Sequence, residues 1–397
     1  MKNNEINHQI SFEDTSIAFS SKTDKELRKM YVLFASMNNN ILANLGTFFM
    51  KTAINFKMPI KGLIKITIFQ HFCGGETIED SLPTINELSK YNIGTILDYS
   101  IEGEKSEIGF DSTREEILKT IMKAKNSPSL PFCVFKVTGL GSAHLLEKIQ
   151  KKATLNSDEV IAFEKIKGRV DVLCKTAFEN NVQILIDGED SWIQDVIDQL
   201  TYQMMQKYNL SRAIVFNTYQ MYRKDMLQNL KSALQYAAAG NYFLGAKLVR
   251  GAYMEKERER AEREGYEDPI HPTKQATDEH YNLALKYCIN NKQRINLCSG
   301  SHNEYSNYYL TVLMDKHGLK INDPRIWFAQ LYGMSDNISF NLAYAGYNVA
   351  KYVPYGPLEA VMPYLIRRAE ENTSIAGQTS REFKLIKKEI SRRKVYG

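Results

Sequence analysis

The chain has 397 residues, of which 43% are hydrophobic, and its 51 Lys and Arg against 46 Asp and Glu leave a net charge of only +5. This composition excludes a disordered or low-complexity chain, and the mild charge argues against a nucleic-acid partner. The five cysteines include no CxxC pair, so neither a disulfide framework nor a metal site is expected. Because the chain has no signal-peptide core and no long uncharged apolar run, we expect a cytoplasmic protein.

Residues 1–93 are predicted to form an N-terminal helical arm that precedes the main domain. The apolar segment within this arm is interrupted by lysines, namely Lys51, Lys57, Lys61 and Lys65. Two interpretations stay open. The arm can consist of helices that pack on the larger domain, or it can present a basic amphipathic surface to lipid headgroups.

From residue 94 onward, short apolar runs alternate with longer amphipathic segments. Such runs are typical of strands buried on both faces of a parallel sheet. They predict strands at 94–99, 132–138, 182–187, 213–218, 245–250, 294–299, 325–330 and 348–353. Eight strand–helix units are the number that closes a barrel, so we predict an α/β fold, a distorted TIM-like (βα)8 barrel over 94–397. An open doubly wound sheet is the alternative.

Helix signals lie between these predicted strands. Ser112 and Glu115 have the spacing of a capping box at the start of a helix. The segments 190–208 and 219–238 are long enough to be complete crossover helices.

Polar residues stand at the carboxyl end of each predicted strand, where the active sites of βα barrels lie. In chain order they are Asp98 with Glu102, Lys136, Asp187, Asn217, Arg250–Tyr253, Ser301–Asn303, Gln330 and Tyr352. Buried charge is costly unless it is paired or used, so their convergence on one end predicts a functional site.

The helix after the last strand, PLEAVMPYLIRRAEEN, carries Tyr364, Arg367, Arg368 and Glu371 at positions i, i+3, i+4 and i+7. This spacing places the four side chains on one face of the helix. Guanidinium groups match carboxylates in bidentate geometry, so the pair of arginines favours a small carboxylate substrate. A solvated basic face is the alternative interpretation.

Several long motifs resemble the proline dehydrogenase family, most closely its monofunctional FAD-dependent type. They are KLVRGAYMEKERERAEREGYEDPIHPTKQATDEHYN (247–282), SHNE (301–304), QLYGM (330–334), KYVPYGP (351–357) and PYLIRRAEEN (363–372). The resemblance implies a (βα)8 barrel with non-covalently bound FAD. It further implies oxidation of L-proline to Δ1-pyrroline-5-carboxylate by hydride transfer to flavin N5, with electrons passed to a membrane quinone.

The resemblance also assigns roles to residues of this chain. It implies that Arg367 and Arg368 hold the proline carboxylate in a catalytic set completed by Lys136, Asp187, Tyr352 and Tyr364. It implies a cofactor-binding set of Asn217, Lys247, Arg250, Gly251, Ala252, Tyr253, Ser301, His302, Asn303, Gln330 and Glu371. Glu102 is expected to act as a gate that pairs with the first arginine. Lys247 and Asn217 depart from the arginine and glutamine that many relatives have beside the flavin ring.

Three alternatives remain at this stage. A 4-hydroxyproline dehydrogenase would use the same chemistry, although such relatives tend to have a smaller residue than Tyr352. Lys136 could instead be the Schiff-base lysine of an aldolase. A non-catalytic binding protein would leave the polar strand ends without a role. We also expect weak peripheral contact with the inner face of the cytoplasmic membrane, where the quinone is held.

Overall fold

The computed structural model describes residues 10–37, 62, 65–99, 105–374 and 378–396. Eight parallel strands form a closed barrel in chain order, and the first strand pairs with the last from Ile93↔Val349 to Tyr99↔Tyr355. The strands are β1 Ile93–Tyr99, β2 Phe132–Phe135, β3 Gln183–Ile186, β4 Val215–Gln220, β5 Leu244–Val249, β6 Ile295–Gly300, β7 Ile326–Leu331 and β8 Val349–Tyr355. The predicted barrel is confirmed, and the open sheet is wrong.

Helices surround the barrel and link its strands. In the described ranges they are α1 Thr15–Ala18, α2 Asp24–Met37, α3 Gln70–Phe72, α4 Leu82–Lys90, α5 Glu107–Ala124, α6 Ala143–Gln150, α7 Ser157–Glu179, α8 Ser191–Tyr208, α9 Met226–Ala239, α10 Met254–Glu264, α11 Lys274–Asn290, α12 Glu304–Lys316, α13 Asp336–Tyr344, α14 Leu358–Ser374 and α15 Gln378–Tyr396. A short π-helical turn, Lys65–Phe69, precedes α3, and a 3₁₀ turn, Val137–Gly139, follows β2.

Some element boundaries differ from those that the sequence predicts. The capping box at Ser112 is wrong, because α5 begins at Glu107 and is capped by Ser106, whose Oγ accepts from the Gly109 amide at 3.0 Å. A capping box does form in α7, between Asn156 and its third helical residue. Strand β4 runs two residues beyond its predicted end, so the following helix, α9, begins later than predicted.

Side chains of the strands alternate between the barrel interior and the surrounding helices. Aromatic rings fill the interior, where Phe132 packs edge-to-face on both Phe216 and Trp327 with centroids 5.5 Å apart. Alternate residues such as Ile184, Ile186 and Leu248 pack outward against the helices. This alternation decides which polar residue at a strand end enters the barrel mouth.

The N-terminal helices α1 and α2 pack on the last helix, α15, beside the barrel. Phe19, Leu27 and Phe34 form one apolar cluster with Leu385 and Ile386 of α15. The predicted N-terminal arm therefore includes a described part that contacts the C-terminal helix. Lys51, Lys57 and Lys61 lie outside the described residues. Within the described ranges, no helix is long and apolar enough to cross a membrane.

Candidate active site

Four predicted catalytic and cofactor-binding residues form one buried cluster at the carboxyl end of the barrel. Asp187 follows β3 and accepts from Lys136 Nζ at 2.8 Å through one oxygen and from Lys247 Nζ at 2.5 Å through the other. Lys247 also donates to Tyr352 Oη at 2.7 Å and lies 4.5 Å from the centre of that ring. We call Lys136, Asp187, Lys247 and Tyr352 the mouth cluster.

The mouth cluster has an unequal charge balance, with two ammonium groups around one carboxylate. Burial alone would raise the pKa of Asp187, but Lys136 and Lys247 outweigh it and lower that pKa to about 2. Burial and the nearby Asp187 charge raise the pKa of Tyr352 well above its ordinary value, so its phenol stays neutral. The cluster is therefore a cationic surface with a neutral aromatic wall, which suits an anionic ligand.

Helix α14 supplies the two adjacent arginines, one of them buried. The Arg368 guanidinium carbon lies 5.2 Å from the Tyr364 ring centre, and that of Arg367 lies 6.0 Å from the Tyr253 ring centre. Tyr364 is itself buried in an apolar cluster that includes Phe72. Because Tyr253 follows β5, the contact with Arg367 brings α14 to the barrel end where the mouth cluster lies.

The segment after β5 forms a second wall, centred on Arg250. Its guanidinium donates to Asp278 at 2.6 Å, to Ser301 Oγ at 2.8 Å and to Ser306 Oγ at 2.9 Å, and lies 4.4 Å from the centre of the Tyr281 ring. These contacts join the end of β5 to α11, to α12 and to the loop after β6. The predicted residues Arg250 and Ser301 are therefore in direct contact.

Gly251 and Ala252 lie between Arg250 and Tyr253, and the backbone at Gly251 requires glycine. Its φ is +139°, a conformation that residues with a Cβ rarely adopt, and an added Cβ would lie 2.5 Å from the Tyr222 ring. Ala252 is exposed. The turn therefore brings backbone rather than side chains to the barrel mouth, as close approach to a bound group requires.

The loop after β6 presents a neutral histidine. His302 Nδ1 lies 2.9 Å from Ser335 Oγ, and its Nε2 accepts from the Leu331 amide at 3.4 Å, so Nδ1 carries the proton. Burial and the nearby Lys351 and Arg368 lower the pKa of His302 to about 3. The next residue, Asn303, caps α12 by accepting from the Ser306 amide at 2.9 Å.

Two predicted cofactor residues have side chains that face away from the barrel mouth, so their place in the cofactor-binding set stays a prediction that this geometry does not favour. Asn217 donates to Asp198 Oδ1 of α8 at 2.9 Å. The Gln330 amide donates to the Ser301 carbonyl at 3.1 Å and accepts from Ser339 of α13 at 2.9 Å. Because residues of a strand alternate in direction, both amides point outward to the helices. Gln330 still supports the site indirectly, since it holds the Ser301 backbone.

Two other predicted residues cannot be placed. Glu102, the expected gate, lies outside the described residues. The backbone of Glu371 belongs to α14, but its side chain lies outside what the structure describes.

The sequence reasoning missed Glu189, a buried carboxylate two residues beyond Asp187. Its oxygens accept from the amide and the hydroxyl of Thr138, the former at 3.0 Å. Burial raises the pKa of Glu189 to about 7. The signal was present, because two acidic residues separated by one position follow the same strand.

The arrangement of these residues favours binding and orientation of an anion. Cationic groups come from β2, β5 and α14, while Tyr352, Tyr364 and Tyr253 supply aromatic surfaces. Across the described ranges, no group of three or more His, Cys, Asp or Glu has the arrangement of a metal site.

Comparisons with known proteins identify the family to which this chain is similar. A family model described as proline dehydrogenase matches residues 81–381. "Proline dehydrogenase 1, mitochondrial" of Dictyostelium discoideum is 34% identical, and the alignment covers 98% of this chain and 76% of that protein. "Carbapenem antibiotics biosynthesis protein CarD" of Pectobacterium carotovorum subsp. carotovorum is also 34% identical, over 97% of this chain and 99% of that protein.

A solved structure shares the fold. The proline utilization A (PutA) protein of Bdellovibrio bacteriovorus, inactivated by N-propargylglycine, superposes with a TM-score of 0.71 at 22% identity. The match covers 91% of this chain and 38% of PutA, so this chain spans about two fifths of that larger protein.

Proposed function

This chain belongs to the proline dehydrogenase family, and on that premise we propose that it uses FAD to oxidise L-proline to Δ1-pyrroline-5-carboxylate and passes the electrons to a membrane quinone. The observation that carries the proposal is the cationic lining of the barrel mouth. Lys136 and Lys247 share a single carboxylate, and Arg367 and Arg368 approach the same end from α14.

The residues present fit a flavin dinucleotide in three respects. The Gly251 turn allows close approach of backbone to a planar or phosphate-bearing group. Arg250 offers a guanidinium that is already fixed by Ser301, and Lys247 is a donor inside the mouth. His302 is neutral and both of its ring nitrogens are engaged, so it offers a fixed ring surface. When bound, the flavin supplies the hydride acceptor.

The protein's own residues would bind and orient the substrate. Arg367 and Arg368 would take the proline carboxylate in charge-assisted hydrogen bonds, which fixes the direction of the ring. Tyr352 and Tyr364 would then pack against the apolar side of the proline ring. The neighbouring cations favour loss of the ammonium proton from the substrate, because like charges disfavour the protonated amine. Water is a sufficient acceptor for that proton.

The mouth cluster argues against the aldolase alternative. A Schiff-base lysine must reach its neutral form to attack a carbonyl. Lys136 instead donates to Asp187 at 2.8 Å, an ion pair that favours the charged ammonium form. An aldolase mechanism would also give no role to Arg367 and Arg368 of α14.

The proposal is tested by the visible spectrum of the purified protein. We expect the absorbance of an oxidised flavin, and we expect L-proline to bleach it without oxygen. Added ubiquinone analogue should then restore the colour. D-Proline, which presents the same groups with opposite handedness, is the matched control. A colourless protein, or a flavin that L-proline does not bleach, would contradict the proposal.

Tyr352 is expected to discriminate against a hydroxylated ring. Its hydroxyl accepts from Lys247 and also bonds Asp187, so a ring hydroxyl beside the phenol would be buried without a hydrogen-bond partner, which costs about 1–3 kcal/mol. We therefore expect kcat/KM to favour L-proline over trans-4-hydroxy-L-proline by about 10- to 100-fold. In Tyr352→Ser this ratio should narrow, mostly because activity on L-proline falls.

Two further tyrosine variants make this experiment specific. Tyr352→Phe keeps the ring and removes only the hydroxyl, so it separates the steric effect of the ring from the hydrogen bonding of the hydroxyl. Tyr355→Phe alters the same strand on its outer face, where the hydroxyl bonds Glu116 at 3.1 Å, and should leave the ratio unchanged. If the wild type oxidises both substrates equally well, the hydroxyproline dehydrogenase becomes the better proposal.

Electron transfer to a quinone held in lipid requires at least transient contact with a membrane. We expect the protein to sediment weakly with anionic vesicles and to be released by salt, because exposed charges are screened over about 8–10 Å at ordinary ionic strength. The combined variant Lys51→Glu, Lys57→Glu and Lys61→Glu should lose this binding. Neutral phosphatidylcholine vesicles are the control, and equal sedimentation with both vesicle types would argue against an electrostatic contact.

A further inference from the structure

The turn between β7 and α13 has an unfavourable backbone that other parts of the chain hold in place. Gly333 has φ +78°, and Ser335 has φ +53° although it carries a side chain. A non-glycine residue in this left-handed region costs about 1–2 kcal/mol. Such a backbone conformation persists only where contacts with the surrounding structure stabilise it.

Residues from distant parts of the sequence supply that support. Lys351 of β8 is fully buried and donates to the Met334 carbonyl at 2.6 Å and to Asp336 at 2.7 Å. His71, just before the barrel, contacts the Gly333 carbonyl at 2.8 Å. Glu382 of α15 accepts from the Ser335 amide at 2.5 Å. The turn is therefore held by the barrel, the N-terminal segment and the C-terminal helix together.

Ser335 connects this turn to the candidate active site. Its amide donates to Glu382, while its hydroxyl lies 2.9 Å from His302 Nδ1. Glu382 is buried, and its burial raises the pKa of its carboxyl to about 7. Whether protonated or not, the carboxyl keeps an oxygen that can accept from the Ser335 amide, and so would a glutamine.

We propose that Glu382 is a positioning residue for the cofactor, which acts by fixing Ser335 and, through it, the ring of His302. The inference rests on the proposed function, because His302 faces a flavin only if the protein binds one. Without Glu382 the buried Ser335 amide loses this acceptor, so the strained turn relaxes and the His302 ring loses its fixed partner. The C-terminal helix then contributes to cofactor binding without touching the cofactor.

The test measures FAD release from the purified holoenzyme after dilution, followed by the rise in free flavin fluorescence. We expect Glu382→Ala to release FAD about tenfold faster than the wild type, as the loss of one buried hydrogen bond predicts. Glu382→Gln should restore the wild-type rate because it keeps the acceptor. Ser335→Ala retains the amide bond to Glu382 but removes the hydroxyl, so it should reproduce the faster release with little disturbance of the fold.

Glu389→Ala is the matched control on the same helix. Glu389 is equally buried, but it pairs with Arg392 and Arg393 and does not contact the turn. We expect it to lower the melting temperature without accelerating FAD release. Equal release rates in Glu382→Ala and Glu389→Ala would overturn the inference, since docking of the helix would then explain both. A wild-type protein without flavin would overturn the proposed function and this inference with it.

Discussion

Replacing Asp187 with asparagine is expected to lower kcat/KM for L-proline by about 100- to 1,000-fold, the effect of breaking a buried charge pair. The carboxylate is the partner of both Lys136 and Lys247. An asparagine keeps the shape but leaves two ammonium groups close together without a countercharge. They would repel each other and move, so Tyr352 would lose its bond from Lys247. Steady-state kinetics and thermal unfolding of the same preparation measure both consequences.

Asp198→Asn is the matched control for this variant. Asp198 is also a buried carboxylate, but it lies outside the barrel wall and bonds Gln194 and Asn217. Burial raises its pKa to about 6, the opposite direction from that of Asp187. We expect Asp198→Asn to change kcat/KM by less than about threefold. If Asp187→Asn retained the kinetics of this control, the mouth cluster would have no role in the reaction.

The pH dependence of stability gives a second measure of the Asp187 interaction. Its pKa is lowered in the folded protein to about 2, against about 3.9 in an unfolded chain. A carboxyl group with a lowered pKa stabilises the fold above its unfolded pKa and loses that contribution as pH falls through the folded value. The difference in the free energy of unfolding between the wild type and Asp187→Asn should therefore be constant between about pH 6 and pH 8.

The barrel and the charged strand ends at Lys136 and Asp187 could be predicted from the sequence because both leave strong local signals, whereas Lys247 was implied only by the family resemblance. Near-continuous apolar runs predicted all eight strands, and β8 was placed within a few residues of its observed bounds. A lysine or aspartate at the end of such a run lies next to the buried barrel interior, where its charge needs a partner. Lys136, Asp187 and Lys247 meet at the barrel mouth, where their ion pairs offset the cost of burying the charges.

The amides were harder to assign, since a strand buried on both faces gives no sign of which residues point inward. An amide side chain can form its hydrogen bonds equally well with residues outside the barrel, as those of Asn217 and Gln330 do. The register of β4 with β5 would have resolved one of them, because Thr218 pairs with the inward-facing Lys247. That register is a property of the assembled sheet and cannot be read from one strand.

The contacts around the β7–α13 turn had no sequence signal at all. Ser335, Glu382 and His71 are far apart in the chain, and each is an ordinary polar residue in its local sequence. Only the closed barrel brings α15 and the segment before β1 to the same turn. Such long-range hydrogen bonds depend on the tertiary fold, so the supporting residues of the site could not be found by patterns of spacing.

The second large effect is expected from the paired arginines of α14. Arg367→Met and Arg368→Met should each lower kcat/KM for L-proline by an amount that corresponds to about 2–5 kcal/mol, because each loses a charge-assisted bond to the substrate carboxylate. The flavin spectrum should stay unchanged, since neither guanidinium is proposed to hold the cofactor. Lysine at either position should recover only part of the loss, because an ammonium lacks the planar fork of guanidinium.

Binding of cyclopentanecarboxylate separates carboxylate recognition from every later step, because this acid has the ring and the charge of proline but no amine to oxidise. Its inhibition constant should rise in both arginine variants to the same extent as kcat/KM falls. Arg169→Met is the control, because this arginine is buried like Arg368 but bonds Glu107, Asp111 and the Leu140 carbonyl away from the barrel mouth. It should destabilise the protein and leave inhibition unchanged. Undiminished inhibition in both α14 variants would mean that the carboxylate is held elsewhere, with Lys136 and Lys247 of the mouth cluster as the next cations to test.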